Sequence, residues 1–156
     1  MMQEKQLLHY FQAQQTPPGW FDLLNIMIEG MVSNAGYHDS RPFLNQMGEE
    51  LADRYPLPIA ATVGELEQQM NSQLARFNWG YVDIEASEKM MIIHHQALPL
   101  PGESRQQQSW SQAFSAVLEG LYARWLLAQG GQPHVALWQE PSPNASTVNF
   151  RYQNRA

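Results

Sequence analysis

The chain has 156 residues, 44% of them hydrophobic, with 15 acidic against nine basic side chains, a formal net charge of −6 and a pI near 5.2. That length suits one domain spanning residues 1–156, and nine basic residues scattered from Lys5 to Arg155 argue against a phosphate-tracking nucleic-acid surface. With no cysteine, a disulfide framework, a thiolate-ligated metal and a cysteine nucleophile are all excluded.

The N-terminal segment carries a short apolar stripe of Leu7, Leu8 and Phe11, and residues 1–15 read as a mobile arm. It lacks the apolar core and small-residue cleavage site of a secretory signal, so a cytoplasmic location is expected. No run approaches the roughly 20 apolar residues that cross a bilayer. After the break at Thr16-Pro17-Pro18-Gly19, helical spacing resumes with Trp20, Leu23, Leu24, Met27, Ile28 and Met31, and Gly36 stops it. A third helix is expected from Asp39 or Ser40, with Pro42 in its first turn and Phe43, Met47, Leu51 and Tyr55 on one face.

Thr62-Val63-Gly64-Glu65 fits a capping box for a fourth helix with the stripe Val63, Leu66, Met70, Leu74 and Phe77. Beyond Trp79 the apolar period changes from 3.6 to 2, with Val82 and Ile84 on a buried face and Tyr81, Asp83 and Glu85 on a wet one. A turn at Ala86-Ser87-Glu88 and a strand from Met90 to Gln96 complete a hairpin. Residues 97–108 read as a polar loop, followed by a second capping box at Ser109 to Gln112 and a long helix whose face holds Trp110, Phe114, Val117, Leu121, Trp125 and Ala128. Gly130-Gly131 and Pro133 close it, and strands from Val135 to Glu140 and Thr147 to Gln153 form a second hairpin. The fold class is therefore α+β: N-terminal helices, a long helix in the C-terminal half and two β-hairpins forming a small antiparallel sheet.

Catalytic chemistry finds little purchase. His94 and His95 are adjacent on a strand and point to opposite faces, so they do not share a metal or a proton. His9, His38 and His134 have no partner at ligand spacing, so no metal and no cofactor are expected. The carboxylate pairs Glu49/Glu50, Asp83/Glu85 and Glu65/Glu67 sit on exposed faces or in a first helical turn, which leaves hydrolysis a remote alternative. Of the five tryptophans, Trp110 and Trp125 fall on the buried stripe and Trp20 is the least constrained, so core or interface roles outweigh sugar stacking.

Two stretches are the most specific. Asn78-Trp79-Gly80-Tyr81-Val82 joins a helix to a strand through glycine, and Leu118-Glu119-Gly120-Leu121-Tyr122-Ala123-Arg124-Trp125 places Gly120 where another backbone can approach, beside the large side chains of Tyr122, Arg124 and Trp125. Both resemble the family of the accessory D subunit of cellulose synthase, found in bacterial cellulose-secreting systems. The resemblance runs from Gly48 to the end, including Ala52-Asp53-Arg54-Tyr55-Pro56, and departs from the family in the N-terminal region and the Gln-rich connection before Ser109.

The resemblance implies a non-catalytic α+β subunit that assembles from dimers into a ring-like octamer and helps to order secreted glucan chains into crystalline bundles. It also implies a proline-rich accessory partner, association with the cellulose synthase complex through partners, and a structural or assembly role for Trp79, Gly80, Tyr81, Gly120, Tyr122, Arg124 and Trp125. Tyr152 and Trp138 are candidates to receive the proline-rich chain. No glucan-contacting position is assigned, because residues 1–15 match no motif of the family, and a direct glucan-binding channel is the alternative function.

Overall fold

The computed structural model describes residues 2–102, 104–132 and 135–154, so Pro133 and His134 lie outside the described residues. The elements are α1 (Met2–Gln15), α2 (Trp20–Ala35), α3 (Tyr37–Arg54), α4 (Val63–Phe77), β1 (Tyr81–Ala86), β2 (Met90–Gln96), α5 (Ser104–Ala128), β3 (Val135–Glu140) and β4 (Val148–Asn154). The two hairpins join through their second strands into one antiparallel sheet of order β1-β2-β4-β3. The α+β reading holds.

The central helix is α5. On one side Tyr122 meets Phe150 of β4 edge-to-face at 5.5 Å, and on the other Gly120 lies against the backbone of Asn45 in α3. Between these contacts α5 buries Trp110, Ala113, Phe114, Ala116, Leu118, Leu121, Tyr122, Trp125 and Leu126. Ala128, expected on its buried stripe, is exposed. Full burial of one large apolar side chain stabilises by about 1.5–3 kcal/mol, so this helix carries much of the core.

Expectations for α5 and α3 require correction. The helix begins at Ser104, so Ser109 and Gln112 lie inside α5 and form no cap, and the connection from β2 is shorter than residues 97–108. A capping-box pattern is local, and nothing local forbids a helix through Ser104 to Gln108 upstream of it. On α3 the innermost residues are Ser40, Leu44, Gly48 and Ala52, while Phe43 is half exposed, because the helix meets α5 backbone to backbone and small side chains take the contact line. The helix also starts at Tyr37, with Pro42 in its interior.

On α2 the expected stripe is turned mostly outward. Asn25 and Ile28 are buried, with Phe21 and Val32 packed against the core, whereas Trp20, Leu23, Leu24, Ile26 and Met27 face solvent. Asp22, Asn25, Glu29 and Ser33 form a polar stripe, yet the helix sits on the core along the border of that stripe, so the centre of its apolar side is left outward. The fourth helix follows the sequence reading: Leu66, Met70 and Leu74 are buried, and the Thr62 hydroxyl accepts from the Glu65 N–H at 3.1 Å. Its reciprocal partner differs by one residue, since the Glu65 carboxylate accepts from the Ala61 N–H at 2.7 Å.

Candidate functional site

The two distinctive stretches meet through His95. Burial on β2 leaves its ring fully enclosed, with Nε2 2.7 Å from the Trp79 carbonyl and Nδ1 2.5 Å from the Tyr122 hydroxyl. A carbonyl can only accept, so Nε2 carries the proton and Nδ1 accepts from the Tyr122 O–H. Burial lowers the imidazole pKa to about 4, against which the Trp79 carbonyl pulls upward, and burial raises the Tyr122 phenol well above its usual value. Both groups are neutral at pH 7, and the pair fastens the α4–β1 corner to the central helix. His94, on the opposite face, is held by Asn149 at 2.8 Å and lies 3.5 Å from Glu85, so the two imidazoles diverge as the strand alternation requires.

Gly80 sits at that corner with φ +97°, a conformation that strains any residue bearing a side chain, and a Cβ there would overlap the carbonyls of Gln96 and Ala97. Trp79 lies within a run of ring contacts. Its indole meets Phe114 edge-to-face at 4.8 Å and Phe77 at 5.0 Å; Phe77 meets Tyr55 at 4.9 Å, and Phe114 stacks on Trp110, which meets Phe21. Six aromatic rings thus link α2, α5, α4 and the end of α3. Tyr81 begins β1 and is about half exposed.

At the other stretch, a Cβ on Gly120 would overlap the Asn45 carbonyl, and one on Gly48 would overlap the Val117 carbonyl. The pair of glycines permits close contact between α3 and α5. Arg41 clamps both oxygens of the nearly buried Glu119 at 2.6 Å, and Asn45 donates to the Ala116 carbonyl at 2.9 Å. This ion pair was not anticipated from sequence, because its members stand 78 positions apart and carry no local signal. Farther along, Arg124 pairs with Asp53 at 3.1 Å and the Trp125 Nε1–H donates to the Tyr55 carbonyl at 2.9 Å, so adjacent residues secure the end of α3. The Asp53 carboxylate raises the Arg124 pKa, mainly through its hydrogen bonds. The structure therefore places Tyr122 and Trp125 inside this chain's own core and leaves Arg124 and Tyr81 at its surface.

Two of the candidate acids, Glu65 and Glu67, are engaged in holding the fold. Glu65 caps α4, and Glu67 accepts from the Ile84 N–H at 2.8 Å. Asn71, one turn later, bonds both the N–H and the carbonyl of Val82. Glu49 and Glu50 are helix-surface neighbours, and among the described residues no group of three or more His, Asp or Glu side chains is placed to hold a metal. His9 and His38 are exposed. Tyr152 packs against the core near Gly131, so it is less open than the sequence suggests, and Trp138 is half-buried.

These helix and sheet contacts span nearly the whole chain, and so does its similarity to known proteins: the family model for the D subunit of cellulose synthase matches residues 6–153. The chain belongs to that family. The match includes most of α1, extending the resemblance well ahead of Gly48. A cellulose synthase operon protein D from Komagataeibacter xylinus is 37% identical over 100 residues, 62% of each chain, and one from Komagataeibacter sucrofermentans aligns with the same identity and coverage. Another Komagataeibacter xylinus protein of that name is 36% identical over 100 residues, again 62% of each. The alignments thus span less than two thirds of these curated relatives. No helix among the described residues of this family member is long and apolar enough to cross a membrane.

Proposed function

We propose that this chain is a non-catalytic, self-assembling accessory subunit of the bacterial cellulose synthase complex, organising synthases or glucan chains so that cellulose leaves in ordered, crystalline bundles. The observation that carries this reading is the outward face of α2: Trp20 is 80% exposed, and Leu23, Leu24, Ile26 and Met27 lie open beside it. An uncovered apolar face on one helix is the usual mark of a protein contact. Dimers that build a larger ring, an octamer by the family resemblance, would cover it. A ring binding several synthases from the cytoplasmic side would raise the local concentration of emerging chains and favour their lateral packing. A proline-rich accessory protein is the proposed link to the complex, because its extended conformation needs little ordering on binding.

Purified protein is expected to run well above its monomer mass of 17.9 kDa, and deleting it should lower cellulose order more than synthase turnover in isolated membranes. A monomer at every concentration, measured by light scattering, contradicts self-assembly; periplasmic fractionation contradicts the scaffold.

A second reading, direct glucan contact, is favoured by one groove. Between α1 and the end of the first hairpin, Phe11, Tyr81, Gln14, Gln15, Asn78 and Gln96 line a space of about 380 Å³. Aromatic faces with neighbouring amides suit a sugar chain. Saturable binding of cello-oligosaccharides, weakened by Tyr81→Ala, would support contact; no binding at millimolar sugar would remove it.

A further inference from the structure

The two edges of the sheet are treated differently. On β1, Val82 bonds outward to Asn71 and Ile84 outward to Glu67, so side chains of α4 occupy that edge. In an antiparallel strand the N–H and carbonyl of one residue point to the same side, and successive residues alternate. Tyr81, Asp83 and Glu85 therefore bond to β2. The register carries the alternation onward: Met91, Ile93 and His95 face β4, and Asn149, Arg151 and Gln153 face Glu140, Trp138 and Ala136 of β3. This leaves Val135, Leu137 and Gln139 with their backbone groups directed away from the sheet. Val135 gives its N–H to the Gln132 carbonyl, but among the described residues nothing bonds Leu137 or Gln139 on that side.

The usual devices that protect an open edge are missing along β3. It has no proline and no lysine, and its one charge, Glu140, is neutralised by Arg151 of β4. From these features we propose that β3 pairs antiparallel with β3 of a second copy around a two-fold axis at Leu137, extending the sheet across two subunits. The strand is complementary to itself in that register. Leu137 meets Leu137 of the second copy, Val135 meets Gln139, and the large Trp138 lies opposite the small Ala136 twice, once on each side of the axis. A proline-rich chain fits this edge poorly, since proline has no N–H for the exposed carbonyls. The resulting sheet runs β1-β2-β4-β3 in one copy and continues in reverse order through the other.

This inference rests on the self-assembly proposed above and gives it a second contact surface, separate from the outward face of α2. The chain has no cysteine, so a single introduced thiol reports on the axis. In this register the two Leu137 Cα atoms stand about 5.5 Å apart, within disulfide reach. The two Gln139 Cα atoms are about 14 Å apart, beyond it. Under mild oxidation Leu137→Cys should yield a covalent dimer on non-reducing gels, while Gln139→Cys should not. Gln139→Pro removes an outward N–H that no bond among the described residues uses, so circular dichroism should be unchanged. It removes two symmetry-related bonds worth about fivefold each, weakening this dimer contact roughly 25-fold.

An assembled protein whose mass ignores Gln139→Pro and whose Leu137→Cys form stays uncrosslinked overturns the edge pairing and leaves self-assembly standing. A wild-type monomer at all concentrations defeats both. If Gln139→Pro misfolds, the paired cysteine variants decide: selective linkage at Leu137 supports the pairing, and equal linkage or none overturns it.

Discussion

The seam between α3 and α5 and the outward face of α2 are both largely apolar, yet they are built on opposite principles. In the seam, Gly48 and Gly120 give up side-chain volume so that two backbones touch, while Arg41, Asn45, Arg124 and Trp125 bind across the junction. On α2, Trp20, Leu23, Leu24, Ile26 and Met27 retain full volume and remain uncovered by this chain. The difference teaches that size alone does not place a residue inside. Small residues mark where helices of one chain meet, and large ones left outside mark where the chain has surface to offer.

The comparison breaks most severely at Trp125. Trp125→Ala should destabilise the fold by about 3–5 kcal/mol, through lost volume and an orphaned Tyr55 carbonyl, as read from denaturant midpoints at fixed protein concentration. A folded, smaller species of unchanged stability would instead make Trp125 an interface anchor.

His95 tests the other side of the central helix by pH. Its folded pKa of about 4 lies below the ordinary 6.5, so the unfolded chain takes up the proton first as pH falls. Stability from this group is complete above pH 6.5, declines between 6.5 and 4, and levels off below; the full span is about 3 kcal/mol. In His95→Gln that share of the acid sensitivity should vanish, which parallel urea titrations at pH 7 and pH 4 would measure. An identical pH slope in both proteins would refute the enclosed, neutral imidazole.

Gly48→Ala adds one methyl where the Val117 carbonyl stands, and a loss of about 1–3 kcal/mol is expected. A neutral result in thermal unfolding would mean that the helices separate freely. The smallest effect on the fold belongs to α2: Leu23→Gln or Met27→Gln should change monomer stability by no more than about 0.5 kcal/mol. The same substitutions should reduce the assembled mass in light scattering if this face is covered by another copy.

Much of the architecture was legible locally. The change of apolar period at Trp79 announced the first hairpin, the Thr62 box announced α4, and strand alternation separated His94 from His95. The close approach at Gly120 was also anticipated, although the backbone that comes near it belongs to α3 of the same chain. The inward faces of α2 and α3 and the start of α5 were not legible. Periodicity marks the apolar side of a helix but not whether the same chain covers it, and a capping pattern does not exclude a helix that begins earlier.

What the sequence by itself determined was the order and type of the elements, the alternation within each strand and, through two motifs, the family. Only the tertiary structure decided which residues are enclosed and how they are joined. The Arg41 and Glu119 pair, the His95 link between Tyr122 and Trp79, and the capped β1 edge opposite the open β3 edge all join positions distant in the chain. Backbone preferences act over a turn or a strand, whereas burial and hydrogen-bond pairing depend on which surfaces meet once the chain has closed on itself.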